Sequence, residues 1–166
     1  MTRTRTRSSR TARSQRRRIL VTGYPGFIGK RLVRRLLHDR PDRLYLLIQP
    51  KFIEDARRYI AACGAQEDSS LRLLAGDIAD MHLGLAASEI DELSTDLDEI
   101  YHLAAISYLG VGEERMWQVN VQGTANLLEV AENSRRLKRF VHMSTCFVSG
   151  DRQGVIAEDE LDRGQS

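Results

Sequence analysis

Cysteine is scarce in this chain: Cys63 and Cys146 stand far apart, in no metal-ligand spacing, and do not make a disulfide framework. The expected setting is therefore reducing and cytoplasmic. Long apolar runs are also absent. None approaches the ~18 residues of a membrane-spanning helix, and no signal-peptide core is present, so lipid would meet this chain only as a substrate. Acidic residues are missing from the first 18 positions, which hold eight Arg. The net charge of +2 thus hides an asymmetry, because residues 19–166 carry 17 Lys and Arg against 23 Asp and Glu.

Residues 1–17 alternate Arg with Thr and Ser and offer almost nothing apolar, so a disordered, solvated tail is expected there. Such a stretch also has the charge to bind nucleic acid or an anionic surface, and the acid-free composition of a transit peptide. It lacks the apolar face of an amphipathic helix, and the apolar residues after Arg16-Arg17-Arg18 belong to the first strand of a fold. Nucleic acid is not the expected partner. The remaining length, 18–166, suits one domain.

One stretch organises that domain. Ile19-Leu20-Val21 is a short apolar run suited to a buried parallel strand, and Thr22-Gly23-Tyr24-Pro25-Gly26-Phe27-Ile28-Gly29 follows at once. Ile28, Leu32, Val33, Leu36 and Leu37 then fall on one helical stripe, with Lys30, Arg31, Arg34 and Arg35 elsewhere. Strand, glycine turn and helix make a cradle for a dinucleotide pyrophosphate, which must come close to N–H groups at the positive end of a helix. Gly23 allows the tight exit from the strand, Gly26 the approach of the phosphates, and Gly29 the packing of helix on sheet. The spacing is G-x-x-G-x-x-G, not G-x-G-x-x-G.

Further along, Leu44–Ile48 reads as a second buried strand, ending in Gln49-Pro50-Lys51. An acid there would accept from the adenosine ribose hydroxyls, whereas a 2′-phosphate needs cations. With no acid before Glu54 and Lys51 placed to meet a phosphate, NADP(H) is expected over NAD(H). A helix over Lys51–Cys63 uses Phe52, Ala56, Tyr59, Ile60 and Cys63, and Gly64 ends it. Leu71–Ala75 is a third strand. Ser88, with Asp91 three residues on, is expected to cap a short helix. Glu99–Ala105 is a fourth strand whose small terminal residues, Ala104 and Ala105, let a ribose lie against the backbone. His102, inside that apolar strand, reads as a satisfied core histidine. The longest helix spans Glu113–Ser134 and buries Met116, Trp117, Val119, Val121, Leu127, Leu128, Val130 and Ala131. Asn120 in its middle implies a specific partner for its side chain. Lys138–Thr145 is a fifth strand, and Cys146 is expected to be buried.

The turn resembles the T-G-x-x-G-F-I/L-G element of the extended short-chain dehydrogenase/reductase family. Leu47–Lys51 and Ser144-Thr145-Cys146 resemble its fatty acyl-CoA reductase and thioester reductase branch, of the male-sterility type. The match runs from about Arg18 to the last residue and covers only the first part of such a protein. The resemblance implies a doubly wound α/β (Rossmann) fold with five parallel strands in the order 3-2-1-4-5. It assigns cofactor contacts to Thr22, Gly23, Gly26, Phe27, Ile28 and Gly29, to Gln49 and Lys51, to Leu103, Ala104 and Ala105, and to Ser144. Asp77 and Ile78 would lie beside the adenine. Asn120, in Val-Asn-Val-Gln-Gly-Thr, would position the active-site region, and Thr145 would hydrogen-bond the substrate carbonyl as negative charge develops on its oxygen. The family usually has Arg where Gln49 stands.

The implied activity is hydride transfer from NADP(H) to the carbonyl of a fatty acyl-CoA or other acyl thioester. Such catalysis also needs a Tyr and, four residues later, a Lys, on the helix after the Thr145 strand. No Tyr follows Tyr108 and no Lys follows Lys138. This polypeptide alone is therefore expected not to turn over, and its sheet to be incomplete at the C-terminus, with an uncovered fifth strand prone to self-association. A sugar-nucleotide epimerase or dehydratase of the same superfamily, or a non-catalytic nucleotide-sensing module, are the competing expectations.

Overall fold

The computed structural model describes residues 17–108, 110–160 and 164; most of the Arg-rich tail lies outside the described residues. Five parallel strands, β1 (Arg18–Val21), β2 (Arg43–Ile48), β3 (Leu71–Ala75), β4 (Glu99–His102) and β5 (Arg139–His142), form one sheet in the order β3-β2-β1-β4-β5. This is the order expected of a doubly wound fold. Side chains alternate between the two faces of each strand. Ile19, Val21, Leu44, Leu46 and Ile48 enter one core cluster, while Leu20, Tyr45, Leu47 and Ile100 enter the other. Both faces are covered, which is why the strands read as continuous apolar runs rather than as alternating ones.

On the first face lie α1 (Phe27–Asp39) and α2 (Ile53–Ala62), the latter entered through a 3₁₀ turn at Pro50–Phe52. Val33, Leu36, Ala56 and Ile60 supply their buried contacts. The second face is covered by α3 (Ala87–Asp96) and by one long helix: α4 (Glu113–Trp117), a π-helical segment (Gln118–Gln122) and α5 (Gly123–Asn133). Leu93, Val119, Leu127 and Val130 are buried there.

Several stripes are narrower than periodicity predicts. Ile28 is half exposed, because the first turn of α1 stands over the strand ends and not over their apolar flanks. Trp117, Val121 and Leu128 are exposed, since the buried stripe of the long helix runs through Val119, Gly123, Leu127 and Val130 and these three lie off it. Phe52, Tyr59 and Cys63 are also exposed. The start of α3 is shifted too: Ala86, not Ser88, is its N-cap. The Ala86 N–H donates to the Glu89 carboxylate at 3.1 Å and the Glu89 N–H to the Ala86 carbonyl at 2.9 Å. Gly64 ends α2 in the left-handed conformation, as expected.

Arg17, assigned to the tail from the sequence, instead forks onto Glu99, with Nε and Nη2 at 2.9 and 3.0 Å. Beside it, the carboxylate of Asp98 is buried. It accepts from the Arg18 N–H at 3.1 Å and from Lys138 Nζ at 3.1 Å, joining the start of β1 to the approach to β5. Among the described residues β5 pairs with β4 on one side only.

Removing the Asp98 carboxylate leaves the Arg18 N–H without that acceptor. Asp98→Ala should lower unfolding free energy by about 2 kcal/mol, and Asp98→Asn by less, because an amide oxygen still accepts. Equal urea midpoints for wild type and Asp98→Ala would contradict this account.

Candidate functional site

A cleft of about 580 Å³ opens at the carboxyl ends of the strands, where ligands bind in open α/β sheets. Its centre is the turn between β1 and α1. Gly23 has φ +79°, and a Cβ there would stand 2.6 Å from the Leu103 carbonyl carbon and 2.7 Å from the Ala104 nitrogen. A Cβ on Gly26 would come within 2.7 Å of the Gly23 oxygen, and one on Gly29 within 2.5 Å. Both therefore crowd the same carbonyl. The turn curls tightly enough for the Gly26 N–H to donate to the Gly23 carbonyl at 3.0 Å. The N–H groups of Phe27 and Ile28 belong to the first turn of α1, which has no intrahelical acceptor for them.

The wall beside this turn is the chain after β4. Thr22 is fully buried; its hydroxyl oxygen lies 3.2 Å from Leu103 N, 3.1 Å from Ala104 N and 2.8 Å from His102 Nδ1. His102 is the satisfied core histidine expected, with Nε2 at 3.0 Å from Thr124 Oγ1. Burial, with the neighbouring His142 second, pushes its pKa down to about 4. Asn120 has the specific partner its position implied: its side chain accepts from the Ile106 N–H at 2.8 Å and donates to the Ile106 carbonyl at 2.9 Å.

On the opposite side, Asp77 accepts from the Ala79 N–H at 3.0 Å and from Gln49 Nε2 at 2.6 Å, with Arg115 Nη2 at 3.9 Å. Asn126 on α5 donates to the Ile78 carbonyl at 2.8 Å. A Cβ at Gly123 would meet the Ile78 side chain at 2.9 Å, so the missing side chain lets Ile78 pack against the helix.

Of the residues singled out from sequence, Thr22, Gly23, Gly26, Gln49, Lys51, Asp77, Ile78, Leu103, Ala104 and Ala105 line this one cleft. Phe27 and Ile28 do not line it with their side chains, which are exposed, and Gly29 is buried under the turn. Asn120 lies behind the wall. Ser144 and Thr145 are exposed beyond the end of β5 and do not line the cleft; Thr145 Oγ1 accepts from the Phe147 N–H at 3.2 Å. Cys146 is exposed, contrary to expectation, because β5 ends at His142 and the chain leaves the sheet before reaching it.

Sequence reasoning missed Lys30, Tyr59 and Arg115 as cleft residues. Lys30 Nζ lies 3.5 Å from the centroid of the Tyr59 ring, joining α1 to α2 across the mouth. The available signal was position: Lys30 directly follows the third glycine, so it stands in the first turns of the helix that faces the phosphates.

A glycine cradle that side chains would fill, unpaired helix N–H groups, and a cleft at the strand ends fit a dinucleotide. Fold and site together define a nucleotide-binding domain of the doubly wound class. The chain belongs to the male sterility protein family of NAD-binding domains, whose family model matches residues 21–165. It is 29% identical over 170 residues to the chloroplastic fatty acyl-CoA reductase 2 of Arabidopsis thaliana, covering 90% of this chain and 28% of that one. The terminal R domain of the myxalamid PKS-NRPS biosynthetic pathway is similar in structure, with TM-score 0.72 and 30% identity, covering 89% of this chain and 40% of that one. UDP-glucuronic acid 4-epimerase from Bacillus cereus in complex with NAD is also similar in structure, at TM-score 0.64 and 30% identity, with coverages of 90% of this chain and 46% of that one. The chain thus spans less than half the length of each.

Two outcomes test the site. Gly26→Leu should weaken dinucleotide binding at least about tenfold, since displacing the turn forfeits charge-assisted N–H bonds to phosphate; undiminished affinity in a well-folded variant would contradict the cradle. His102 links stability to pH. Its pKa is about 4 when folded against an ordinary 6.5, so the unfolded chain binds the extra proton between these values. Its contribution is complete above 6.5 and declines as pH falls toward 4, by at most about 3 kcal/mol. Replacing His102 should flatten that part of a urea-stability profile.

Proposed function

We propose that this chain supplies the NADP(H)-binding portion of a reductase that delivers hydride to the carbonyl of a fatty acyl-CoA or another acyl thioester. The observation that carries this reading is the glycine turn facing the Leu103–Ala105 wall, in a chain of a family whose relatives include fatty acyl-CoA reductases. The cofactor supplies the hydride; the protein's part is to hold, orient and polarise. The Gly23–Gly29 turn and the first-turn N–H groups of α1 bind the pyrophosphate. Asp77 and Ile78 flank the adenine. Thr145 retains its hydroxyl proton for donation, because its oxygen accepts the Phe147 N–H, and it would support the substrate oxygen as charge develops.

Preference for NADP(H) over NAD(H) is supported by what stands at the end of β2. Gln49 is neutral, and its amide nitrogen is taken up by Asp77. Lys51 and Lys30 both line the cleft. The nearby acid, Asp55, is paired with Arg58. A 2′-phosphate therefore meets two cations and no unpaired carboxylate on α2's face of the mouth. The cytoplasmic setting is supported by the free, exposed thiols of Cys63 and Cys146, and among the described residues no helix is long and apolar enough to cross a membrane.

A second reading, a sugar-nucleotide epimerase or dehydratase, is favoured by the similarity to the NAD-bound Bacillus cereus epimerase. Retention of NAD(H) through purification would support it. The uncovered side of β5 also supports self-association, which sedimentation at several concentrations would reveal.

Titration of NADPH and NADH against the chain decides the cofactor. NADPH should bind at least about tenfold more tightly, and Lys51→Ala and Lys30→Ala should each narrow the gap by several-fold through NADPH alone, as expected for a lost charged bond to phosphate. Equal affinities in the wild type would overturn the preference.

A further inference from the structure

Thr22 and His102 leave only one placement of protons. The Thr22 oxygen accepts from the Leu103 N–H at 3.2 Å and the Ala104 N–H at 3.1 Å, which occupies both of its lone pairs. Its own proton must then go to its remaining partner, His102 Nδ1, at 2.8 Å. Nδ1 is consequently the bare nitrogen, and the ring carries its proton on Nε2, aimed at Thr124 Oγ1 at 3.0 Å. Thr124 in turn donates to the Asn120 carbonyl at 2.7 Å. The Asn120 side chain closes the circuit on both backbone groups of Ile106.

From these directions we infer that His102 is a positioning residue. Held as the Nε2–H tautomer, it keeps the Thr22 hydroxyl in its accepting role and thereby fixes the main chain of Leu103–Ile106, the cleft wall that faces the glycine turn. The proton assignment stands on geometry alone; its effect on cofactor binding rests on the dinucleotide reading above.

The groups tied together are all parts of the cleft or its supports. A proton on Nδ1 would confront the Thr22 O–H donor to donor, and relief would require giving up the bond to Leu103 or to Ala104. There is no slack to absorb that movement, because the wall passes so close to Gly23 that even a Cβ would collide with it. The segments packed on His102 present two hydroxyls, Thr22 just past β1 and Thr124 on α5. From β5 come the Phe140 ring edge and the titratable His142, its ring centroid 5.0 Å away. Among the described residues no carboxylate is hydrogen-bonded to the imidazole to stabilise a second proton.

The test uses the whole chain labelled with ¹⁵N-histidine. At neutral pH, His102 should show a protonated, pyrrole-type Nε2 and a bare, pyridine-type Nδ1; an Nδ1–H ring would overturn the inference. Two variants then separate positioning from packing. His102→Asn places an amide oxygen near the Nδ1 site and keeps an acceptor for Thr22. His102→Gln can reach Thr124 but leaves the Thr22 proton without its acceptor. With matched circular dichroism spectra, His102→Asn should bind NADPH within about threefold of wild type and His102→Gln about tenfold more weakly, the effect of one unpaired buried donor on the wall. Equal loss in both variants would overturn the positioning role. If His102→Gln does not fold, the nitrogen spectrum of the wild type still decides the tautomer. If wild-type protein binds no NADPH, the dinucleotide reading fails while the spectrum still decides the proton assignment.

Discussion

The Gly23 carbonyl is the point on which the glycine turn closes. Gly26 and Gly29 both press against it, and Gly23 itself lies against the Leu103–Ala104 backbone. Three segments, the end of β1, the start of α1 and the chain leaving β4, can meet there only because side chains are absent. Everything functional about the fold descends from that meeting. It aims the unpaired N–H groups of α1 at the cleft, and it sets the floor on which a flat, charged ligand can rest.

Backbone this close, at strand ends that have run out of sheet partners, needs polar side chains to complete its hydrogen bonds. Thr22 meets the N–H groups of Leu103 and Ala104, Asn120 meets both groups of Ile106, and Asn126 meets the carbonyl of Ile78. Three short polar residues, one at the exit of β1 and two on the long helix, thus hold the loops after β3 and β4. They explain why polar groups stand inside an otherwise apolar second face, where an unpaired one would be costly. They also couple the walls of the cleft to rigid elements instead of leaving them as free loops.

Much of this was legible from residues alone. The apolar runs of β1 and β2, the turn between β1 and α1, and the mid-helix Asn120 each announced a local requirement that the structure meets locally. What could not be read was how far each apolar stripe would find something to cover it. Ile28 satisfies the helical period yet faces outward because the sheet ends below it, and Trp117 lies off the stripe of Val119, Leu127 and Val130 that the long helix buries. Cys146 was expected to be buried just past a strand running to Thr145, but the strand stops at His142. Lys30 looked like one more cation on the outer face of α1, and its place in the cleft depends on Tyr59, twenty-nine positions along the chain.

The sequence by itself determined the order of strands and helices, the glycine cradle and the absence of an acid at the end of β2, since these depend on residue type and near neighbours. Only the tertiary structure decided which cations reach the cleft, that Gln49 spends its amide on Asp77, and which way the protons run between Thr22, His102 and Thr124. Those outcomes depend on groups far apart in the chain sharing a handful of donors and acceptors. No local pattern records how such groups are shared.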